Sequence, residues 1–290
     1  MFETESFCKV NLLLNILGKR PDGFHELETI LQPISLHDKL TFERQGSGID
    51  LKCSDPRLPV NAKNLVFRAA ALFLEAARIP ASDGVRIHLQ KRIPLAAGLG
   101  GGSGNAAVAL QAMNELFGHP LPSSQLVELA ASLGSDVPFF LQRKPALALG
   151  RGETIKPLDF FPALQGLSWV LVYPGFGVST PWAYEHLAEH PAALRGSPGR
   201  AERLISLLQT DLAAAAPEFY NSLEAPVLRK YPLLALYQQF FRELGALATL
   251  MSGSGSTTFA LARTQAAAEG MVEKLNGKFG PSAWTAIINV

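Results

Sequence analysis

Apolar and polar positions change period several times along the 290-residue chain, and each change marks an element. Residues 7–17 form an almost continuous apolar run, which predicts a strand. Gly18-Lys-Arg-Pro-Asp-Gly23 then breaks it, since proline followed by Asp-Gly is strong turn chemistry. A second strand is expected from Phe24-His25 to residue 34, with further strands at 39–45 and 49–53 separated by Gly46-Ser-Gly48. Leu65, Ala69, Leu72, Phe73 and Ala76 follow the helical period, so a helix is predicted over 65–79 with Asn64 as its N-cap. Residues 85–93 alternate apolar and polar, as a half-buried strand does. A glycine-rich loop follows, then a helix carrying Ala106, Leu110, Met113 and Leu116. Another helix, starting at Ser123 or Ser124, reaches 133, and a strand at 146–153 runs into a glycine turn.

The second half begins with an apolar strand at 168–173 and a helix opened by Thr180-Pro181. Residues 190–199 hold proline, glycine and serine and predict a surface loop. Helices are expected at 200–208, 225–230, 233–245 and 264–275, and strands at 246–250, 257–262 and 283–290. The strand–helix–strand–strand–helix–strand set suggests a ferredoxin-like α+β domain. A segment rich in Pro, Phe and Gly near residue 157 predicts two domains, 1–157 and 158–290.

Composition narrows the classes. The chain is 48% hydrophobic and 18% charged, the balance of a globular protein with a buried core and no disordered tract. A net charge of +1 gives no electrostatic case for nucleic acid or an anionic membrane surface. No apolar run is long enough to span a bilayer, and the N-terminal residues lack the basic and apolar regions of a signal peptide. Two cysteines, Cys8 and Cys53, make neither a disulfide framework nor a metal set. A cytoplasmic protein is the expectation.

The chemistry concentrates in Pro94-Leu-Ala-Ala-Gly-Leu-Gly-Gly-Gly-Ser-Gly-Asn-Ala-Ala107, between a strand and a helix. Four of the five positions from Gly98 to Gly102 are glycine, more than a turn needs. Glycines let backbone N–H groups face a ligand, and a helix start adds unpaired donors and a positive dipole end, so the loop predicts an anion cradle. It lacks the Gly-Lys-Ser/Thr ending of a P-loop. It also lacks the acidic residue that a dinucleotide-binding loop carries about twenty positions on.

Three other positions carry candidate chemistry. Lys9 and Asn11, two apart on a strand, share a face; a solvated strand face and a functional pair both fit that pattern. His25 fits a ligand contact, a core histidine or an exposed one. Asp136 lies among apolar residues next to Pro138, as a helix cap or a functional carboxylate.

Lys9-Val-Asn11, the glycine loop and Gly253-Ser-Gly255 together resemble the GHMP kinase superfamily, named for galactokinase, homoserine, mevalonate and phosphomevalonate kinases. Within it, the long loop, Arg20-Pro-Asp-Gly-Phe-His25 and Leu133-Gly-Ser-Asp-Val-Pro-Phe139 resemble the family acting on 4-diphosphocytidyl-2-C-methyl-D-erythritol. The resemblance covers nearly the whole chain. It implies a two-domain α+β GHMP kinase fold, with an N-terminal ribosomal-protein-S5-domain-2-like domain and a C-terminal ferredoxin-like domain. It implies ATP and a cytidyl-diphosphate sugar alcohol as substrates, Mg²⁺ as cofactor, and a monomer or weak homodimer.

The resemblance also implies residue roles. Asp136 is the general base, with Lys9 beside it to keep it ionised and support the transferred charge. Asn11 holds the sugar-alcohol part, Gly253, Ser254 and Gly255 form the third motif near it and the bound phosphates, and Thr180 is a further substrate contact. Phe24, His25, Arg151 and Tyr184 hold the cytidine diphosphate part, by stacking and base-edge hydrogen bonds. Pro94, Leu95, Ala96, Ala97, Gly98, Leu99, Gly100, Gly101, Gly102, Ser103 and Gly104 wrap ATP, with Lys63, Asn64 and Lys91 near it, and Ser103 as a metal contact. The chain departs from the family pattern at Phe24 (Tyr in the family), Phe7-Cys8 (Pro-Ala), Gly104 (a second Ser) and Ser222 (Asp, in Asn-Asp-Leu-Glu). Another GHMP kinase for a mevalonate-like or homoserine-like alcohol, and a non-catalytic nucleotide binder, are the alternatives. The first would not need Phe24-His25, and the second would need no base.

Overall fold

The computed structural model describes residues 1–289. They form two compact units, each assembled from separate segments. The first takes Met1–Cys8, Leu36–Pro94 and Gly100–Arg143; the second takes Lys9–Ser35, Leu95–Leu99 and the chain from Lys144. Two long strands, β1 (Phe2–Lys19) and β2 (His25–Gln45), contribute residues to both. The sequence pattern predicts two strands where β2 is one. Its Leu27–Leu31 part pairs with a later strand and its Lys39–Gln45 part with another. Pro33 lies between these two ladders, where its missing N–H breaks neither.

In the first unit, β3 (Gly48–Cys53) pairs in parallel with β4 (Gly84–Gln90), which pairs antiparallel with Lys39–Gln45 of β2. Parallel neighbours require a crossover, supplied by α1 (Leu65–Ala76). Helix α1 buries Val66, Ala69, Ala70 and Phe73 and packs on α2 (Gly101–Leu116), and α3 (Ser123–Leu133) packs on both. The turn after α2 is tied by Asn114, whose side chain accepts from Leu121 N and donates to Leu121 O, both at 3.0 Å.

In the second unit, β5 (Ala146–Gly150) pairs with β2 and with β6 (Thr154–Pro157). Then come β7 (Ser168–Tyr173), α4 (Thr180–His186), α5 (Pro191–Leu194), α6 (Arg200–Leu208) and α7 (Leu212–Ala215). Strand β8 (Tyr220–Asn221) lies parallel to β1 at Leu13 and Leu14. The chain continues through α8 (Glu224–Lys230), α9 (Pro232–Glu243), β9 (Ala248–Met251), β10 (Thr258–Ala262), α10 (Gln265–Phe279) and β11 (Trp284–Asn289). Val290, the end of the expected last strand, lies outside the described residues.

The four-stranded sheet has the order β11-β7-β10-β9, with all neighbours antiparallel. This is the ferredoxin-like arrangement the element order predicts. Val170, Val172, Ala260 and Ala262 of the sheet pack with Leu234 and Phe241 of α9 and with Ala268 and Met271 of α10. The expected loop at 190–199 contains the one-turn α5. Like α7 and β8, it is too short for periodicity to reveal. The rest of that loop is pinned down. Gly196 N donates to Ile16 O at 2.8 Å, and the buried Glu28 carboxylate accepts from Gly199, Arg200 and Ala201 N at 3.0–3.3 Å. Glu28 thereby caps α6 with the charge its dipole favours.

Candidate active site

Lys9 and Asn11 are each 3% exposed, so the pair is not a solvated strand face. Lys9 Nζ donates to Asn11 Oδ1 at 2.7 Å and to Gly98 O at 3.1 Å. Asn11 Nδ2 in turn donates to Thr29 Oγ1 at 2.8 Å, which orients the asparagine. A buried ammonium is costly unless hydrogen-bonded acceptors surround it, and these supply them.

Gly98 is the hub of the second unit's share of the glycine loop. Its φ is +78°, and its carbonyl also accepts from Ser252 Oγ at 3.0 Å. A Cβ there would fall 2.1 Å from Ser252 O. On the other side, a Cβ at Gly253 (φ +58°) would sit 3.2 Å from Lys9 Nζ. The stretch from Leu95 to Leu99 is fixed by backbone bonds from Lys9 N to Leu99 O (3.0 Å) and Thr257 N to Ala97 O (3.1 Å). Tyr173 Oη adds a bond to Leu95 O at 3.2 Å. Lys9, Asn11, Gly98 and the Gly253 turn, widely separated in sequence, are thus neighbours. Thr180 Oγ1 and Ser254 Oγ meet at 2.7 Å.

The turn before β2 presents aromatic groups. Phe24 N donates to Asp22 Oδ1 and Arg20 N to Phe24 O, while the Arg20 guanidinium pairs with Asp22 and Glu26. Phe24 is left 52% exposed, with the Arg151 guanidinium 4.6 Å from its ring centroid. Glu153 steadies that arginine at 3.5 Å. His25 and Tyr184 rings lie 5.1 Å apart at a 36° tilt. Burial first, then nearby Lys19, pushes the His25 imidazole below its ordinary range. The ring is therefore neutral near pH 7, able to donate at one nitrogen and accept at the other.

The first unit carries the rest of the loop. Helix α2 starts at Gly101, with Gly100 as an N-cap in the left-handed region (φ +71°) and no side-chain cap. Its first-turn N–H groups are thus offered as a set for an anion. Ser103 lies in that turn. Lys91 is buried against Asp38 and donates to Asn105 Oδ1 at 3.1 Å. Asp38 also accepts from Arg92 N, Ile93 N and Asn105 Nδ2. Lys91 therefore braces α2 from inside. Asn64 caps α1 through Val66 N (2.9 Å) and donates to Pro59 O (2.8 Å), so its side chain is committed to the helix start. Asp136 is partly exposed, in the turn between α3 and the 3-10 turn Pro138–Leu141; Val137, not Asp136, is that turn's N-cap.

Gly104 explains one departure from the family pattern. A Cβ there would lie 2.9 Å from both Phe7 O and Ser6 Oγ, and 3.3 Å from Phe140. Gly104→Ser is expected to destabilise the protein by about 1–3 kcal/mol, the usual cost of overpacking. Gly102→Ser, whose Cβ would make an ordinary 3.7 Å contact with Leu65, should cost less. Urea unfolding of the two variants checks the order.

The GHMP kinase N-terminal domain matches residues 64–144 and the GHMP kinase C-terminal domain residues 190–281. A 4-diphosphocytidyl-2-C-methyl-D-erythritol kinase of Synechococcus sp. (strain JA-3-3Ab) is 44% identical over 88% of this chain and 82% of its own. That of Pelotomaculum thermopropionicum is 45% identical over 88% and 86%. The chain belongs to the 4-diphosphocytidyl-2-C-methyl-D-erythritol kinase family. A crystal structure titled as 4-(cytidine 5'-diphospho)-2C-methyl-D-erythritol kinase covers all of both chains, with a TM-score of 0.79 and 38% identity. As a member of this kinase family the chain has the two-part GHMP fold that its motifs predict.

Sequence reasoning missed Thr29, Asp38 and Ser252 as partners of the site's residues. Nothing local marks them, since their partners lie 18 to 154 positions away.

Proposed function

We propose that this protein transfers the γ-phosphoryl group of ATP to the 2-hydroxyl of 4-diphosphocytidyl-2-C-methyl-D-erythritol. This is a step of the non-mevalonate (methylerythritol phosphate) route to isopentenyl diphosphate. The observation that carries the reading is the ring set of the second unit, Phe24 under Arg151 and His25 against Tyr184. A mevalonate-like or homoserine-like acceptor has no base for such a grip to hold. Phe24 lacks the hydroxyl of the family's tyrosine, and the Arg151 contact keeps its face engaged.

In this reading Asp136 takes the hydroxyl proton as the acceptor oxygen bonds to the γ-phosphorus. The bond from that phosphorus to the β-bridging oxygen breaks, and ADP leaves. The Lys9 ammonium supports the charge that develops, Asn11 orients the acceptor, and Gly253, Ser254 and Thr180 line the sugar-alcohol part. The α2 first turn and the glycines before it wrap the ATP phosphates, with Lys91 and Asn64 supporting that side through α2 and α1. Among the described residues no three His, Cys, Asp or Glu side chains form a metal cage. That suits Mg²⁺ arriving on the nucleotide, which takes few protein ligands. Ser103 is the hydroxyl that would join it, and the ion would neutralise charge on the β- and γ-phosphates.

A cytoplasmic monomer or weak homodimer suits a reaction drawing on ATP. No helix among the described residues is long and apolar enough to cross a membrane. An ATP-consumption assay across the cytidyl acceptor, mevalonate, phosphomevalonate and homoserine tests the reading. Turnover is expected with the cytidyl acceptor alone, and His25→Ala should raise its KM by about tenfold, the loss of one or two base-edge hydrogen bonds. The KM for ATP should hardly move. Comparable turnover of another alcohol, or equal effects of His25→Ala on both KM values, would overturn it.

A further inference from the structure

Asn221 is given no role above, yet its side chain is fully engaged beside residues that have one, Gly253 among them. It is buried at 2% exposure in β8, the two-residue strand paired with β1. Its Nδ2 donates to two carbonyls, Met251 O at 2.8 Å and Gly253 O at 2.7 Å, and its Oδ1 accepts from Leu223 N at 2.9 Å. One amide thus fixes two carbonyls two residues apart, where the chain leaves β9 and turns. Glu224 holds the start of the same turn, accepting from Met251 N at 2.8 Å. The anchor itself is fastened to the strand that carries Lys9. Ser222 N donates to Leu14 O at 2.8 Å, and Ser222 Oγ accepts from Ile16 N at 3.0 Å.

The turn so bracketed faces the ammonium. Ser252 Oγ shares the Gly98 carbonyl with Lys9 Nζ, and Gly253 approaches Lys9 closely enough that a Cβ would be 3.2 Å from Nζ. We propose that Asn221 is a positioning residue for Lys9, acting through the Met251–Gly253 turn and the Gly98 carbonyl. It rests on the reading of Lys9 as a residue of the phosphoryl-transfer site. Without the amide, two buried carbonyls lose their donor, and the turn relaxes to find others. The ammonium then loses its fixed place. Small displacements of that kind reduce rate far more than binding.

The test is a double-mutant cycle in the full-length enzyme with ATP and the cytidyl acceptor, measuring kcat and both KM values. Asn221→Ala should lower kcat by about tenfold to a hundredfold, with each KM changed by less than threefold. Asn114→Ala removes a buried asparagine that brackets a turn in the same way, far from Lys9 in sequence and in the other unit. It should lower the melting temperature while leaving kcat near wild type. Lys9→Ala should abolish most turnover, and adding Asn221→Ala to it should lower kcat no further. Full additivity, or an Asn114→Ala effect on kcat equal to that of Asn221→Ala, would overturn the positioning role. If Lys9→Ala alone keeps wild-type kcat, the reading of Lys9 fails instead, and the proposal falls with it. If neither asparagine variant folds, Asn221→Ser, which keeps a single hydroxyl donor in place of two N–H bonds and adds no charge, is measured instead; an unchanged kcat there would overturn the role.

Discussion

Asp136→Asn is expected to lose phosphoryl transfer while ATP still binds. The substitution keeps the side chain's size while removing its charge and its ability to take a proton. General-base participation is worth roughly 10²–10⁴ in rate, so kcat should fall by that factor, about 3–5 kcal/mol of barrier. Asp136 follows α3, and Val137 N is bonded to Gly134 O at 3.1 Å. Val137 and Phe139 are buried and hold the segment in place. Steady-state turnover, titration calorimetry with ATP and a melting curve together check the result. Turnover near the wild-type rate with an intact fold would remove the base assignment.

Gly98→Ala should damage both stability and activity. Two costs add. The φ of +78° is in the left-handed region, where an L-side chain costs roughly 1–2 kcal/mol. The Cβ would also meet backbone, with Ser252 O at 2.1 Å and Gly255 O at 3.0 Å, so the Ser252–Gly255 turn or the loop must move. Overpacking of that kind adds about 1–3 kcal/mol. The Gly98 carbonyl receives Lys9 Nζ, so relief of the clash shifts an acceptor of the ammonium. Gly166→Ala is the control, with φ +72° and nothing within 4 Å of its Cβ. It carries the conformational cost alone. Urea unfolding should show Gly98→Ala at least 1–3 kcal/mol worse than Gly166→Ala, with kcat reduced only in the former. Equal destabilisation by the two would mean the close approach carries no weight.

Much of the molecule was legible before any contact was known. Helical spacing marks α1 and α2, alternation marks β4, and the apolar run 168–173 coincides with β7. These are local signals, carried within one or two turns of chain. The glycine loop is legible for the same reason, since positive φ and close backbone approach demand glycine wherever they occur. Elements that local pattern cannot carry were missed. Strand β8 has two residues and exists because Leu13 and Leu14 lie beside it. Residues 35–38 read as a break between two strands, yet β2 continues through them, its ladders on either side keeping the chain extended.

By itself, the sequence determined the types of chemistry: an anion cradle, a lysine and asparagine on one strand face, a lone carboxylate in apolar surroundings and an aromatic–histidine turn. Their neighbours come from the fold. Lys9 and Asn11 could have been a wet strand face, and burial against Gly98 and Thr29 decided otherwise. Nothing local names the partners of Lys91 and Asn64, and the fold bonds them to Asp38, Asn105, Val66 and Pro59. The physical reason is separation. Gly98 is 89 positions from Lys9, and Asn221 is 32 from Gly253. A residue's chemistry is written in its side chain, but its partners are chosen by the folded chain.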